Sequence, residues 1–170
     1  KSTLPPPTRK SERWKYSPIA KLLNSTLSTD SSEIDSGFSN DIPPNPVAGL
    51  EAYRLVFRNG TFDSSLSDLP VAKGVICMPL SEVSAEDAPE FKNTYSKTEW
   101  VGELNESYQQ DGMFLKIARN IKLDRPVLIH HLTDGKDVAS FPRHFVRVEE
   151  GGEVDVVVWS SASKNSSGMY

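Results

Sequence analysis

The chain has 170 residues, with 19 Lys and Arg side chains against 23 Asp and Glu side chains and a formal net charge of -4. This length suits one ordinary domain with an apolar core, or a small domain with extensions. The acidic balance argues against a nucleic-acid surface, because phosphate binding draws on clustered Lys and Arg.

The sequence also indicates where the protein resides. No apolar run approaches the roughly 20 residues that a membrane helix needs, and the first residues lack the charged-then-apolar pattern of a secretory signal. The single cysteine, Cys77, excludes an internal disulfide and fits a reducing compartment. We therefore expect a cytoplasmic protein that does not bind membranes.

The N-terminal part is predicted to contain a docking segment and a linker. Residues 1–23 form the docking segment, in which Pro18 opens a short helix. Its aromatic side chains Trp14 and Tyr16, interleaved with a small basic cluster, are expected to fasten it to the protein's own domain rather than to a foreign ligand. Residues 24–47 are rich in Ser, Thr, Asp and Pro, which predicts a flexible linker.

A small region of mixed α and β structure is predicted over residues 48–112. Asn59-Gly60 is a strong hairpin signal, because both residues tolerate the positive φ angles of a type I′ turn. The other predicted elements are a strand over 53–57, a strand over 74–78, a turn capped by Ser84, and a helix with Trp100, Leu104 and Tyr108 on one stripe.

Short apolar strands separated by turn signals occupy residues 113–170. Strands this short cannot bury a face alone, so each needs a neighbour above or below, as in a solenoid; an antiparallel sandwich would show similar alternation. Spacing alone leaves both open. The predicted strands are 113–118, 121–124, 127–132, 145–148 and 154–159, the last with Val154, Val156 and Val158 inward and Val157 and Trp159 outward.

The common motifs for nucleotide, zinc and redox chemistry are absent from the sequence. Cys77 lies in an apolar run without a nearby cation, so it is expected to be a buried apolar group. His130 and His131 should point to opposite faces of a strand and cannot chelate one ion between them. A metal site that includes His144 is conceivable, but one packed ring and one solvated ring are the better interpretation.

Carboxylates and serines near the C-terminal end also lack a catalytic context. Glu149 and Glu150 adjoin a Gly-Gly turn near Asp155, where carboxylates are usually solvated. The serines of 160–163 have no histidine nearby in sequence and no nucleophile elbow. The sequence therefore predicts no catalytic, cofactor-binding or metal residue, and a protein that is not an enzyme.

Three stretches resemble the SufB/SufD family of iron-sulfur cluster assembly proteins. Residues 7–19 are similar to the Arg-Lys, Glu-x-Trp-Lys-Tyr-Thr-Pro segment of that family, most closely of its SufD branch. Residues 104–127, apart from 116–119, and residues 142–151 resemble the entry into the family's core. The three matches fall in the family's order.

This resemblance implies a mainly β fold, a right-handed parallel β-helix (β-solenoid) preceded by a small α+β cap region. Residues 113–170 would then be the first coils of the β-helix core. It also implies a non-catalytic scaffold subunit beside SufB-like and SufC-like (ATPase) subunits, with the iron-sulfur cluster belonging to the complex and no cofactor bound by this chain. The family's cluster-building cysteine and histidine positions lie in its later core, so none transfers to a residue here.

Other interpretations stay open. The family's members are longer, so the chain is expected to be either a fragment or a shortened relative. A carbohydrate-active enzyme on a β-helix would need convergent carboxylates, and a generic β-rich interaction module would need none. If the coils stack as in a solenoid, the valine-rich final strand is an exposed edge that predicts self-association.

Overall fold

The computed structural model describes residues 4–8, 10–17, 19, 23–24, 47–84, 100–135, 137–163 and 166. The predicted linker over 24–47 lies outside the described residues except at its two ends, as do most of the helix expected after Pro18 and the residues after the Ser84 turn.

The described part of the chain is mainly β, as predicted. Its strands are β1 (Tyr53–Arg58), β2 (Thr61–Phe62), β3 (Val75–Pro79), β4 (Met113–Ile117), β5 (Val127–Thr133), β6 (Phe145–Val148) and β7 (Val156–Ala162). Among the residues that the structure describes, the α-helix α1 spans Trp100–Tyr108, and 3₁₀ turns span Glu12–Trp14, Ser64–Leu66 and Leu80–Glu82.

The strands form two mixed sheets. The first has the order β2-β1-β5-β7 and the second the order β3-β4-β6. β2 and β3 pair antiparallel with their neighbours, whereas β1 with β5, β5 with β7, and β4 with β6 pair parallel. Neither sheet closes on itself among the described residues. The structure therefore has the parallel strand pairs that a β-helix needs, but it does not show the right-handed parallel β-helix that the resemblance implies.

From β4 onward the chain alternates between the two sheets and stacks on itself. β6 lies on β4, with Phe114 opposite Phe145, and β7 lies on β5, with Val127 opposite Val156. The pairing continues between the strands, where Asn120 N–H donates to Glu150 O and Glu153 N–H donates to Ile121 O. We call residues 113–133 the first coil and residues 145–162 the second coil.

The two coils differ in length at one corner. Lys122 lies opposite Glu153, but five residues later Val127 already lies opposite Val156. The first coil therefore has two extra residues here. Two residues of this longer corner, Asp124 and Arg125, contact Tyr53. The Tyr53 hydroxyl donates to Asp124 Oδ1 at 3.0 Å, and the Arg125 guanidinium lies 3.9 Å from the centre of the Tyr53 ring.

The core lies between the two sheets. Alternate side chains of β1, β4 and β5 meet there and exclude water, and complete burial of each large apolar side chain contributes about 1.5 to 3 kcal/mol. The buried members of this core are Tyr53, Leu55, Phe57, Met113, Leu115, Ile117, Leu123, Val127 and Ile129.

The predicted hairpin at Asn59-Gly60 is confirmed. Asn59 and Gly60 have φ angles of +50° and +86°, and β1 pairs antiparallel with β2. The Asn59 side chain is buried and forms two hydrogen bonds, donating to Asp134 O and accepting from Asp134 N–H, both at 2.8 Å. This turn therefore also anchors the loop that follows β5.

Asp111 and Gly112 join the cap region to the coils. The buried Asp111 carboxylate accepts hydrogen bonds from Ser81 N–H and Phe62 N–H, and Arg143 N–H donates to the Asp111 carbonyl. A Cβ atom on Gly112 would overlap the Arg143 carbonyl oxygen, so only glycine fits. The Asp-Gly pair thus fixes how the chain enters β4.

Two strand predictions and one docking prediction need correction. Residues 121–124 form a corner rather than a strand, because Asn120 adopts a left-handed φ of +57° and only an isolated bridge joins Lys122 to Glu153. The last strand is Val156–Ala162 rather than 154–159. Tyr16 is 91% exposed, so its ring does not dock on the described part of the domain.

Candidate assembly surface

The stack of coils ends in an exposed apolar surface. Four valines belong to the inner faces yet are 38 to 61% exposed: Val146 and Val148 of β6, and Val156 and Val158 of β7. The inward orientation of Val156 and Val158 is as predicted. The partners of the four valines one coil below, Leu115, Ile117, Val127 and Ile129, are at most 1% exposed. We call these four valines the open end.

The open end also presents strand edges. β6 and β7 are the last strands of their sheets, and among the described residues neither has a neighbour on its outer side. A shallow groove of about 330 Å³ continues along the adjoining corner and is lined in part by Val148 and Val154. Backbone donors and acceptors beside an apolar face are suited to receive another strand.

Two histidines that are distant in sequence meet inside the stack. His131 of β5 and His144, just before β6, lie with their Nε2 atoms 3.1 Å apart, and both rings contact Phe57. Burial, followed by the neighbouring His131, lowers the pKa of His144 to about 4. Burial also lowers the pKa of His131. Both rings are therefore neutral near pH 7.

The hydrogen bonds of this pair fix its tautomers. Met113 N–H donates to His144 Nδ1 at 3.0 Å, so the single proton of the neutral His144 ring lies on Nε2 and points to His131 Nε2. His131 then carries its proton on Nδ1, which is buried and has no hydrogen-bond partner among the described residues.

This arrangement does not suit a metal ion. A ligating histidine offers one nitrogen lone pair and donates from the other nitrogen, but in His144 the backbone of Met113 already donates to Nδ1 and Nε2 holds the proton. In the part of the chain that the structure describes, no group of three His, Cys, Asp or Glu side chains could hold a metal. Sequence spacing gave no sign of this pair, because the contact depends on which strands stack.

The other strand histidine, His130, lies on the opposite face of β5, as predicted. Its ring stacks on Trp159 with centres 4.2 Å apart, accepts from Arg54 Nη2 at Nδ1 (2.8 Å) and contacts Ser161 Oγ at Nε2 (2.7 Å). It is fully buried, so the expectation of one solvated ring is wrong. Burial, then the Arg54 charge and then His131 lower the pKa of His130 to about 4.

His130 and Ser161 do not form a catalytic pair. Arginine can only donate, so Arg54 fixes the lone pair of His130 on Nδ1 and its proton on Nε2. Nε2–H then donates to Ser161 Oγ, which is opposite to what a general base does. The spacing of Ser161 along the sequence gives no sign of this contact, because the histidine comes from the neighbouring strand.

The remaining candidate residues, Cys77, Glu149 and Glu150, are packed in the core or near basic side chains and have no catalytic partner among the described residues. Cys77 lies opposite Leu115 in the second sheet and packs against the core, and burial raises the pKa of its thiol to about 12. The Glu150 carboxylate is exposed and pairs with Arg119 at 2.6 Å, and Glu149 lies 3.9 Å from Arg147. The solvated interpretation of these carboxylates is confirmed for Glu150.

No α-helix within the described ranges has the length and apolar character needed to cross a membrane.

Comparisons with known proteins identify relatives of the chain. A family model described as the SufBD protein N-terminal region matches residues 2–129. The chain is also similar to the iron-sulfur cluster assembly protein SufD of Escherichia coli (strain K12), with 30% identity over 155 residues. That match covers 89% of this chain and 34% of the relative, so the chain spans about a third of the relative's length.

Proposed function

Because the chain belongs to the SufB/SufD family and is SufD-like, we propose that it serves as a non-catalytic scaffold in an iron-sulfur cluster assembly complex. The proposed partners are SufB-like and SufC-like (ATPase) subunits. The cluster is proposed to belong to the complex, with no ligand from this chain.

The open end is the observation that carries the scaffold role. Four inward-facing valines and the edges of two parallel strands lie together, whereas the equivalent side chains one coil below are buried. This supports a longer parallel β-helix in which a further coil covers the open end. The right hand of that helix and its continuation are part of the proposal.

The surroundings of the histidine and cysteine side chains support the non-catalytic part of the proposal. His130, His131 and His144 are held as neutral rings by fixed hydrogen bonds, and the Cys77 thiol stays protonated. A carbohydrate-active enzyme would need two convergent carboxylates, but Glu150 is exposed and paired with Arg119. No observation favours that alternative.

The test is a chimera in which this chain replaces the matching segment of Escherichia coli SufD. In cells lacking SufD, the chimera is expected to restore the activity of iron-sulfur enzymes and to co-purify with SufB and SufC. The same chimera with Gly112→Val is the negative control: its side chain would overlap the Arg143 carbonyl oxygen, so it should neither fold nor restore activity. A chimera that is well expressed but neither restores activity nor co-purifies would overturn the proposal.

A further inference from the structure

The segment 10–17 near the N-terminus holds a fixed local shape although little of it is buried. Trp14 N–H donates to Ser11 O at 2.8 Å, and Ser17 N–H donates to Trp14 O at 3.0 Å, which closes the 3₁₀ turn Glu12–Trp14. None of the three residues in this turn is buried. The segment therefore combines a hydrogen-bonded backbone turn with exposed side chains at Lys10, Glu12, Arg13, Lys15 and Tyr16.

The charge of this segment is opposite to that of the rest of the protein. Residues 9–16 contain four basic side chains and one acidic side chain, in a chain with 19 basic and 23 acidic side chains. Lys10, Arg13 and Lys15 are exposed. A local positive potential on an otherwise acidic protein steers acidic partners to one place.

Tyr16 adds an apolar anchor to this basic segment. Its ring is 91% exposed, and Lys15 Nζ lies 5.5 Å from the ring centre. Tyrosine and arginine are enriched among the residues that dominate binding energy at protein interfaces. An ordered turn that exposes a tyrosine next to cations has the composition of such an interface.

We propose that residues 10–16, here called the basic turn, form a docking site for an acidic, partly apolar surface of another protein. Lys10 and Lys15 would pair with carboxylates of the partner, and Tyr16 would be buried against its apolar side chains. A protein is favoured over a nucleic acid, because the acidic remainder of the chain would repel an extended polyanion. This inference does not rest on the proposed assembly role.

The experiment uses the full chain and a fluorescein-labelled peptide of Glu-Glu-Leu repeats, with binding followed by fluorescence anisotropy at low salt. The double variant Lys10→Glu/Lys15→Glu is expected to weaken binding about tenfold, and Tyr16→Ala about threefold or more. The double variant Lys73→Glu/Arg119→Glu makes the same charge change at exposed positions elsewhere and should alter affinity less than about twofold.

Three outcomes would overturn the proposal. The first is the lack of saturable peptide binding at high micromolar concentration, and the second is an equal loss of affinity in the Lys73/Arg119 control. The third is tighter binding of a single-stranded DNA oligonucleotide than of the peptide, which would assign the basic turn to nucleic acid. Thermal unfolding of Tyr16→Ala provides a further check, since a lowered midpoint would mean that the ring packs on its own domain.

Discussion

The Nε2 atoms of His131 and His144 lie 3.1 Å apart, which links β5 of one sheet to the start of β6 in the other. Because Met113 N–H fixes the proton of His144 on Nε2, this link requires both rings to be neutral. His130, on the outer face of β5, is likewise held neutral by Arg54. The protonation state of three side chains is thus tied to the packing of the coils.

Stability is expected to fall as the pH drops below about 6.5, the pKa of histidine in an unfolded chain. The folded pKa values of His130 and His144 are lowered to about 4, so the unfolded state binds more protons between these limits. After allowance for solvent screening, each ring should remove about 1 kcal/mol of unfolding free energy by about pH 5. Urea unfolding at a series of pH values measures this.

The control is the double variant His130→Gln/His144→Gln, whose side chains do not titrate. Its unfolding free energy should be lower at pH 7 but should change much less between about pH 7 and pH 5. An equally steep loss of stability in the variant would show that other groups cause the pH dependence.

Gly112→Ala should destabilise the fold by about 3 kcal/mol or more, because the new methyl group overlaps the Arg143 carbonyl oxygen and forces the entry into β4 to move. Gly49→Ala is a matched control. Gly49 also has a positive φ, of +77°, but a Cβ there meets open space, so only backbone strain of about 1 kcal/mol is expected. Similar unfolding midpoints for the two variants would contradict the overlap.

Cys77 should react with a thiol reagent such as DTNB at least about a hundredfold more slowly in the folded protein than in guanidinium chloride, because the thiolate is the reactive form. The pKa of the Cys77 thiol is raised to about 12 by burial, which leaves almost no thiolate at pH 8. Reaction at the same rate in both conditions would show that the thiol is accessible and ionised.

The chain alone is expected not to retain an iron-sulfur cluster after anaerobic incubation with iron and sulfide, since conventional clusters take about four ligands, mostly cysteine. Cys77 is the single cysteine. A visible chromophore that survives desalting would contradict this, and its loss in Cys77→Ser would assign the ligand.

Without a partner on its open end, the chain is expected to self-associate through β7. Val158 is 61% exposed on the inner face, so Val158→Lys should keep the chain monomeric with little loss of core packing. Val71→Lys is the control, because Val71 is 94% exposed and lies beside β3 of the other sheet. Light scattering over a range of concentrations measures the effect, and a wild-type chain that stays monomeric throughout would exclude it.

Local signals in the sequence were enough for much of this fold. Asn59-Gly60 identified the hairpin because few residue pairs tolerate two successive positive φ angles. The alternation of valines in 154–159 identified the inner face, because side chains in a strand point to alternate sides. These features depend on neighbours along the chain, so one sequence reveals them.

Features that depend on how distant parts of the chain pack together could not be predicted from neighbouring residues in the sequence. Ile121 and Leu123 alternate like a strand, yet they lie at a corner because Asn120 turns the chain with a φ of +57°. The contacts of His131 with His144 and of His130 with Ser161 arise only once the coils are in register. The exposure of Tyr16 likewise depends on the path of the whole N-terminal segment.

The corner before β5, where the first coil is two residues longer than the second, determines which deletions this fold tolerates. Deleting Asp124 and Arg125 would give the first coil the same spacing as the second between the Lys122–Glu153 bridge and the start of β5. Tyr53, however, would lose both a carboxylate acceptor and a cation against its ring. The two residues therefore act as an insertion that adapts an otherwise regular coil to β1. The matching corner of the second coil can do without them, because the residue opposite Val156 on the neighbouring β5 is Val127 and not a tyrosine.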